Sequence, residues 1–149
     1  MLVLAPVVAL LSSGAAFAAE VASADEAHAM FDRAIAALKS DQAAAVKAFN
    51  DDKDKQFRDR DLYVFCFTVP DGNFTAYLSP VLLGTDVREL KLPKDPVGQR
   101  AYDAVAKAPD GEVVSIDFQF PKPGTRQPVP KQTLEARVGN QACGVSFYK

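Results

Sequence analysis

Few side chains in this sequence are of the kinds that do covalent chemistry, and none of them is spaced for it. The single histidine, His28, falls among alanines in a helical stretch, where a solvated or half-buried imidazole needs no catalytic role. One histidine and two distant cysteines, Cys66 and Cys143, supply no ligand set for a transition metal. Adjacent carboxylates such as Asp51-Asp52 repeat on a polar run, and Gly72, Gly84 and Gly111 each punctuate a separate turn instead of forming a phosphate loop. Neither an enzyme nor a cofactor is expected. Lys131 opens a strand directly after Pro128-Val129-Pro130, a stiff segment that holds an ammonium in place for a carboxylate, and its plain alternative is a solvated strand end. Arg58 and Arg60 stand just before an apolar strand, with Asp59 and Asp61 near enough to neutralise them. Asp117 is a second partner for Lys131, and that pairing would favour an amino acid or neutral ligand.

The overall charge excludes some partners. Seventeen basic and nineteen acidic side chains give a net charge of −2, so no general field holds a polyanion, and nucleic acid is not an expected partner. With 149 residues, 48% hydrophobic and 24% charged, one globular domain is expected. The segment from Met1 to Ala19 carries no charge: an apolar run, Leu2 to Leu11, is followed by Ser12-Ser13-Gly14 and the small-x-small pattern Ala16-Phe17-Ala18. A secretory signal over 1–18 is expected, leaving a domain over 19–149 in the periplasm or outside the cell, with no stable membrane insertion after cleavage. The alternative reading of that segment, which has no Lys or Arg in front of it, is an uncleaved anchor. In an oxidising compartment Cys66 and Cys143 have only each other to pair with, the alternative being two buried thiols.

These residues need elements to position them. Ser23-Ala24-Asp25-Glu26 is a capping box that opens a helix with an apolar stripe of Ala27, Phe31, Ala34, Ile35 and Leu38. Ser40-Asp41 caps a second helix, Gln42 to Asn50, with apolar points at Val46 and Phe49. Leu62 to Val69 is almost wholly β-branched or aromatic, Pro70-Asp71-Gly72-Asn73 turns the chain, and Phe74 to Leu78 returns, which predicts a hairpin whose first strand is apolar on both faces and therefore central. Short helical turns follow around Leu83-Gly84 and Thr85-Asp86. Asp95-Pro96 starts a third helix with Pro at its first position, running from Val97 to Lys107. Three strands close the chain: Glu112 to Phe120, Lys131 to Val138 and Gln141 to Tyr148. The pattern predicts an α+β fold with a five-stranded antiparallel sheet in the order 2-1-5-4-3, the N-terminal helix on one face and short helices between strands two and three. Strands one and five are then neighbours, which brings Cys66 beside Cys143.

Several stretches carry a family likeness. Arg58 to Cys66, Asp71-Gly72, Tyr77-Leu78-Ser79-Pro80 with Leu83-Gly84-Thr85-Asp86, Phe120-Pro121-Lys122-Pro123-Gly124 with Pro130-Lys131, and the terminal Cys143 to Tyr148 together resemble the single Cache domain. The resemblance implies a PAS-like extracytoplasmic sensor module whose sheet and loops enclose a small molecule, often an organic acid or amino acid. Many relatives carry a His-Pro pair after the second strand; Tyr77-Leu78-Ser79-Pro80 stands there instead, so that histidine contact is not implied. With no second membrane helix or signalling domain before Lys149, the likeness is to the stand-alone periplasmic version.

On such a sheet the pocket would be aromatic with a few polar groups. Tyr63, Phe65, Tyr77, Phe118 and Phe120 are the aromatic candidates, each with core packing as its alternative, and Lys131 and Arg60 are the polar ones. The partners expected are a small polar metabolite, foremost a carboxylate, and a membrane receptor or histidine kinase that reads its binding. A second reading, from a different class, is a ligand-free interaction module that modulates such a receptor through an edge strand or apolar surface.

Overall fold

The computed structural model describes residues 20–149 apart from 52 and 54. The signal expected over 1–18 lies outside the described residues. No described helix is long and apolar enough to cross a membrane.

Helix α1, Ala24–Ser40, begins with the expected capping box: the Glu26 amide donates to Ser23 Oγ, and the Ser23 amide donates to the Glu26 carboxylate. It buries Ala27, Met30, Phe31, Ala34 and Leu38 and lies across the sheet. Helix α2, Gln42–Asn50, is capped by Asp41, whose carboxylate accepts from the Ala44 amide. The sheet is built from β1 (Arg58–Asp59), β2 (Leu62–Thr68), β3 (Phe74–Ala76), β4 (Val113–Pro121), β5 (Pro128–Val138) and β6 (Gln141–Tyr148). Its path is β1-β2-β6-β5-β4, antiparallel throughout, with β3 also paired to β2. The expected order of five strands is thus present, and β1 is an addition: two residues too few to give a periodic signal.

Two expected boundaries move for identifiable reasons. Strand β3 stops at Ala76 because the Tyr77 amide donates to Asn50 Oδ1 of α2 instead of continuing the ladder. In α3, Val97–Lys107, Pro96 is the capping residue and not the first helical one. Between β3 and α3 lie two single-turn 3-10 helices, Pro80–Leu82 and Val87–Glu89.

Alternation along the strands divides the molecule. Leu62, Val64 and Cys66 of β2, with Cys143, Val145 and Phe147 of β6 and Leu134 and Ala136 of β5, face α1 and α2 in one buried cluster. Burying an aliphatic or aromatic side chain of this size stabilises by roughly 1.5–3 kcal/mol, so this layer holds most of the domain's apolar stability. At its centre Cys66 and Cys143 stand directly opposite one another and form a disulfide, with 4.1 Å between Cα atoms. The bridge closes a sequence separation of 77 residues, and restricting the unfolded chain to that degree contributes about 4 kcal/mol. A Cys66→Ala/Cys143→Ala variant is therefore expected to melt on the order of 10 °C below the oxidised wild type. Coincident thermal and denaturant midpoints would show that the bridge adds nothing.

Candidate functional site

The opposite, distal face of the sheet carries polar side chains in three cross-strand rows. In the first, Phe118 of β4, Lys131 of β5 and Tyr148 of β6 are in register. In the second stand Ile116, Thr133 and Ser146, and Thr133 Oγ1 and Ser146 Oγ share a hydrogen bond of 2.6 Å. In the third, Val114, Glu135, Gly144 and Phe65 follow one another across four strands.

Helix α3 and the segment from Val87 to Leu92 roof these rows, and between roof and sheet lies a cavity of about 220 Å³. Val87, Leu90, Leu92, Val97, Gly98 and Ala101 line it from above, with Phe74 and Tyr77 at one side. The roof is fastened by specific contacts. Gly98 brings α3 against the Val87–Leu90 turn: its amide donates to the Leu90 carbonyl at 2.9 Å, and a Cβ there would fall 1.8 Å from the Val87 carbonyl oxygen. Tyr102 donates to the Val69 carbonyl at 2.5 Å, and the Arg88 guanidinium stacks over the Tyr102 ring. Arg100 donates to the Asp117 carbonyl at 2.6 Å and pairs with Asp95 at 3.3 Å.

Six of the seven side chains singled out from the sequence line this cavity: Tyr63, Phe65, Tyr77, Phe118, Phe120 and Lys131. The seventh, Arg60, is elsewhere. It occupies a left-handed backbone conformation (φ 53) in the turn before β2 and is ion-paired to Glu26 at 2.5 Å and to Asp59 at 2.9 Å. The Arg60 guanidinium in turn holds the Glu26 carboxyl down at about 2. Arg60 therefore ties the start of α1 to the sheet and leaves no free charge for a ligand. The alternative partner for Lys131 also falls away. Asp117 lies on the α1 face of β4, paired to Lys149 at 2.9 Å and accepting from Gln132.

Lys131 is only 8% exposed. Its ammonium sits over the rings of Tyr148 (4.5 Å) and Phe120 (5.2 Å), and among the described residues no ion pair or hydrogen bond to it occurs. Desolvation lowers its pKa, partly offset by the field of Asp61. At the side of the cavity Tyr63 donates to the Tyr77 hydroxyl at 3.3 Å, and burial raises the Tyr63 pKa.

Sequence reasoning missed Glu135. It is 1% exposed, both carboxyl oxygens are buried without a hydrogen-bond partner among the described residues, and it lines the cavity. Its seat depends on Gly144, where a Cβ would meet Glu135 Cγ at 2.8 Å and the Phe65 ring at 2.7 Å. The available signal was a glutamate in the middle of a strand between Leu134 and Ala136.

The order of strands, the helix across one face and a roofed cavity on the other define a PAS-like α+β fold. Solved structures share it. The periplasmic sensor domain of a chemotaxis protein matches with a TM-score of 0.56 and 19% identity, over 83% of this chain and 88% of that one. A methyl-accepting chemotaxis protein from Vibrio parahaemolyticus RIMD 2210633 matches with a TM-score of 0.62 and 20% identity, over 83% and 86%. A Cache chemosensory domain, described for its carboxylic acid recognition, matches with a TM-score of 0.55 and 16% identity, over 83% and 86%. The chain thus has the fold of a single Cache domain. It matches no protein-family model and no curated protein.

Burial pushes the Glu135 carboxyl up to about 8, from 4.5 in a solvated chain. The unfolded chain gives up this proton first as pH rises, so the group's contribution to stability falls between those two values. The slope is on the order of 1.4 kcal/mol per pH unit. Glu135→Gln, which does not titrate, is expected to gain stability relative to wild type as the pH is raised from 5 to 8. Chemical melts at four pH values test this, and parallel stability curves would refute the shifted carboxyl.

Proposed function

We propose that this protein is an extracytoplasmic sensor or binding domain that takes a small carboxylate into the distal cavity and does not turn it over. The observation that carries the reading is Lys131: a lysine 8% exposed on the cavity wall, its ammonium packed on two rings and without an ion-pair partner among the described residues. An ammonium removed from water without a counter-charge is costly, and a ligand carboxylate would complete it with a charge-assisted hydrogen bond. The walls agree with this, since the lining is mainly aromatic and aliphatic with the Thr133–Ser146 hydroxyl pair as a further polar contact. A cavity of about 220 Å³ is smaller than the pockets that hold drug-sized molecules, which suits a metabolite of a few carbons. The carboxylic acid recognition named for one structural neighbour supports the same chemistry. Binding would then be read by a membrane receptor or kinase.

The interaction-module reading also has one observation in its favour. The loop after β3 exposes Leu78, Val81 and Leu83, Val81 to 82%, and an apolar loop of this kind suits a protein partner.

Thermal shift and calorimetric titration with a panel of short mono- and dicarboxylates, alongside their neutral amides, test the proposal. Ligand at a hundred times its dissociation constant adds about 2.7 kcal/mol of stability, and the amides are expected to add much less. Lys131→Met is expected to weaken carboxylate binding at least tenfold without loss of folding. Silence across the panel from a folded, oxidised protein would favour the interaction module.

A further inference from the structure

Lys131 accounts for one end of the cavity, and the other end holds a group of opposite character. Glu135 follows Lys131 by four residues on the same face of β5, two cross-strand rows away. Two rows span roughly 13 Å along a strand. The intervening row presents Thr133, Ser146 and Ile116, so no charge lies between the two ends on the sheet.

Both Glu135 oxygens are fully buried and unpartnered, with no donor to them among the described residues. The charged and titratable groups on the surrounding elements are engaged elsewhere. Arg137, next on the same face of β5, donates from its terminal nitrogen to the Ala108 carbonyl, and its Nε is buried and makes no hydrogen bond to Glu135. On α3, Arg100 bonds the Asp117 carbonyl, Tyr102 bonds Val69 and Asp103 accepts from Gln99. Tyr63 of β2 is turned to Tyr77, and Tyr148 of β6 donates to the Pro121 carbonyl. The neighbours of Glu135 in its own row are Val114, Gly144 and Phe65, none with a polar side chain.

The type of ligand group that fits follows by elimination. An aliphatic tail would leave both oxygens desolvated and unpaired. A second carboxylate would take one hydrogen bond from the protonated carboxyl and leave its own charge without a counter-ion in an apolar enclosure. A hydroxyl has a single proton to offer, whereas an ammonium has three and also supplies the counter-charge that a carboxylate at this position needs. We propose that Glu135 forms an amine subsite, and that the ligand of this cavity is an extended amino carboxylate with its ammonium at Glu135 and its carboxylate at Lys131. The Lys131 half rests on the carboxylate-binding reading above; the Glu135 half stands on its own geometry. With a hydrogen bond of about 2.8 Å at each end, the two charged groups of the ligand stand on the order of 7 Å apart. An ordinary α-amino acid backbone, with amine and carboxylate on one carbon, does not reach both.

Binding would also move a proton. The carboxyl of the empty site, pushed up to about 8, is protonated in roughly nine of ten molecules at pH 7. A bound ammonium favours the carboxylate, so that proton leaves to solvent on binding.

Calorimetric titration of the oxidised protein at pH 7 with 5-aminopentanoate, pentanoate, glutarate and pentylamine, in two buffers of different protonation enthalpy, tests the subsite. The expected result is 5-aminopentanoate binding at least tenfold tighter than pentanoate and glutarate, with close to one proton released per ligand. Glu135→Gln, shown by its near-UV spectrum to be folded, is expected to bring the affinity ratio near one and to abolish the proton release. If 5-aminopentanoate and pentanoate bind equally in wild type without proton release, the amine subsite is overturned and carboxylate binding stands. Binding of pentylamine that needs Glu135, with no affinity for any acid, would support the subsite and overturn the carboxylate reading. A folded protein that binds none of the four overturns both.

Discussion

The register of β5 between β4 and β6 is the constraint on which the rest of the structure depends. Side chains alternate with a period of two, so a slip of one residue would turn Lys131, Thr133 and Glu135 against α1 and carry Leu134 and Ala136 to the roof. Both layers would fail together. Several features oppose such a slip. The Cys66–Cys143 bridge fixes β2 against β6 at one pair of opposed residues. The turn at Gly139, in a left-handed conformation, sets β5 against β6, and Thr133 bonds Ser146 across the same two strands. Gly144 admits Phe65 and Glu135 side by side only where it stands now.

The two faces of the sheet answer different physical demands. Toward α1 and α2 the packing is apolar and continuous, from Phe31, Leu38 and Phe49 on the helices to Val64, Val145 and Phe147 on the strands. Toward α3 the apolar cluster of Phe67, Phe74, Val87, Val105 and Ala142 is smaller, and a cavity interrupts the packing. The roof over that cavity is held by hydrogen bonds and ion pairs to loops and strand ends, those of Arg88, Arg100 and Tyr102. Partly exposed contacts of this kind contribute less each than a buried aliphatic side chain, so the roof is the less firmly held layer.

Much of this architecture was legible because its signals are local. The capping box at Ser23, the hairpin turn at Asp71-Gly72 and the final meander each lie within a few residues of sequence, and the strand order followed from their lengths. Arg60 misled because only one of its acids is a sequence neighbour: Asp59 adjoins it, whereas Glu26, which ties it to α1, precedes it by 34 residues. Asp117 misled through a face assignment, since it stands on the same strand as the cavity-lining Phe118 but one residue out of phase. Glu135 was hidden for a subtler reason. Lys131, Thr133, Glu135 and Arg137 alternate with less polar neighbours as they would on a solvated face, and only the roof contributed by α3, far upstream in the chain, turns that face into an interior.

A polar row enclosed in this way is a local conflict that the fold as a whole has to carry. Lys131 and Glu135 are both buried, about 13 Å of strand apart, and among the described residues neither has an ion-pair partner in contact. A domain selected for stability alone would place apolar side chains at both positions, as it does at Leu134 and Ala136 on the other face. The cost is tolerable because the α1 layer and the disulfide stabilise the same sheet independently of the cavity. It is also recoverable, because any ligand that completes these groups restores the hydrogen bonds and charge pairing that the empty domain lacks. Binding free energy at such a site is drawn from a deficit already built into the unliganded protein. On the proposed binding mode, the residues least favourable to folding would be the ones that define what the cavity accepts.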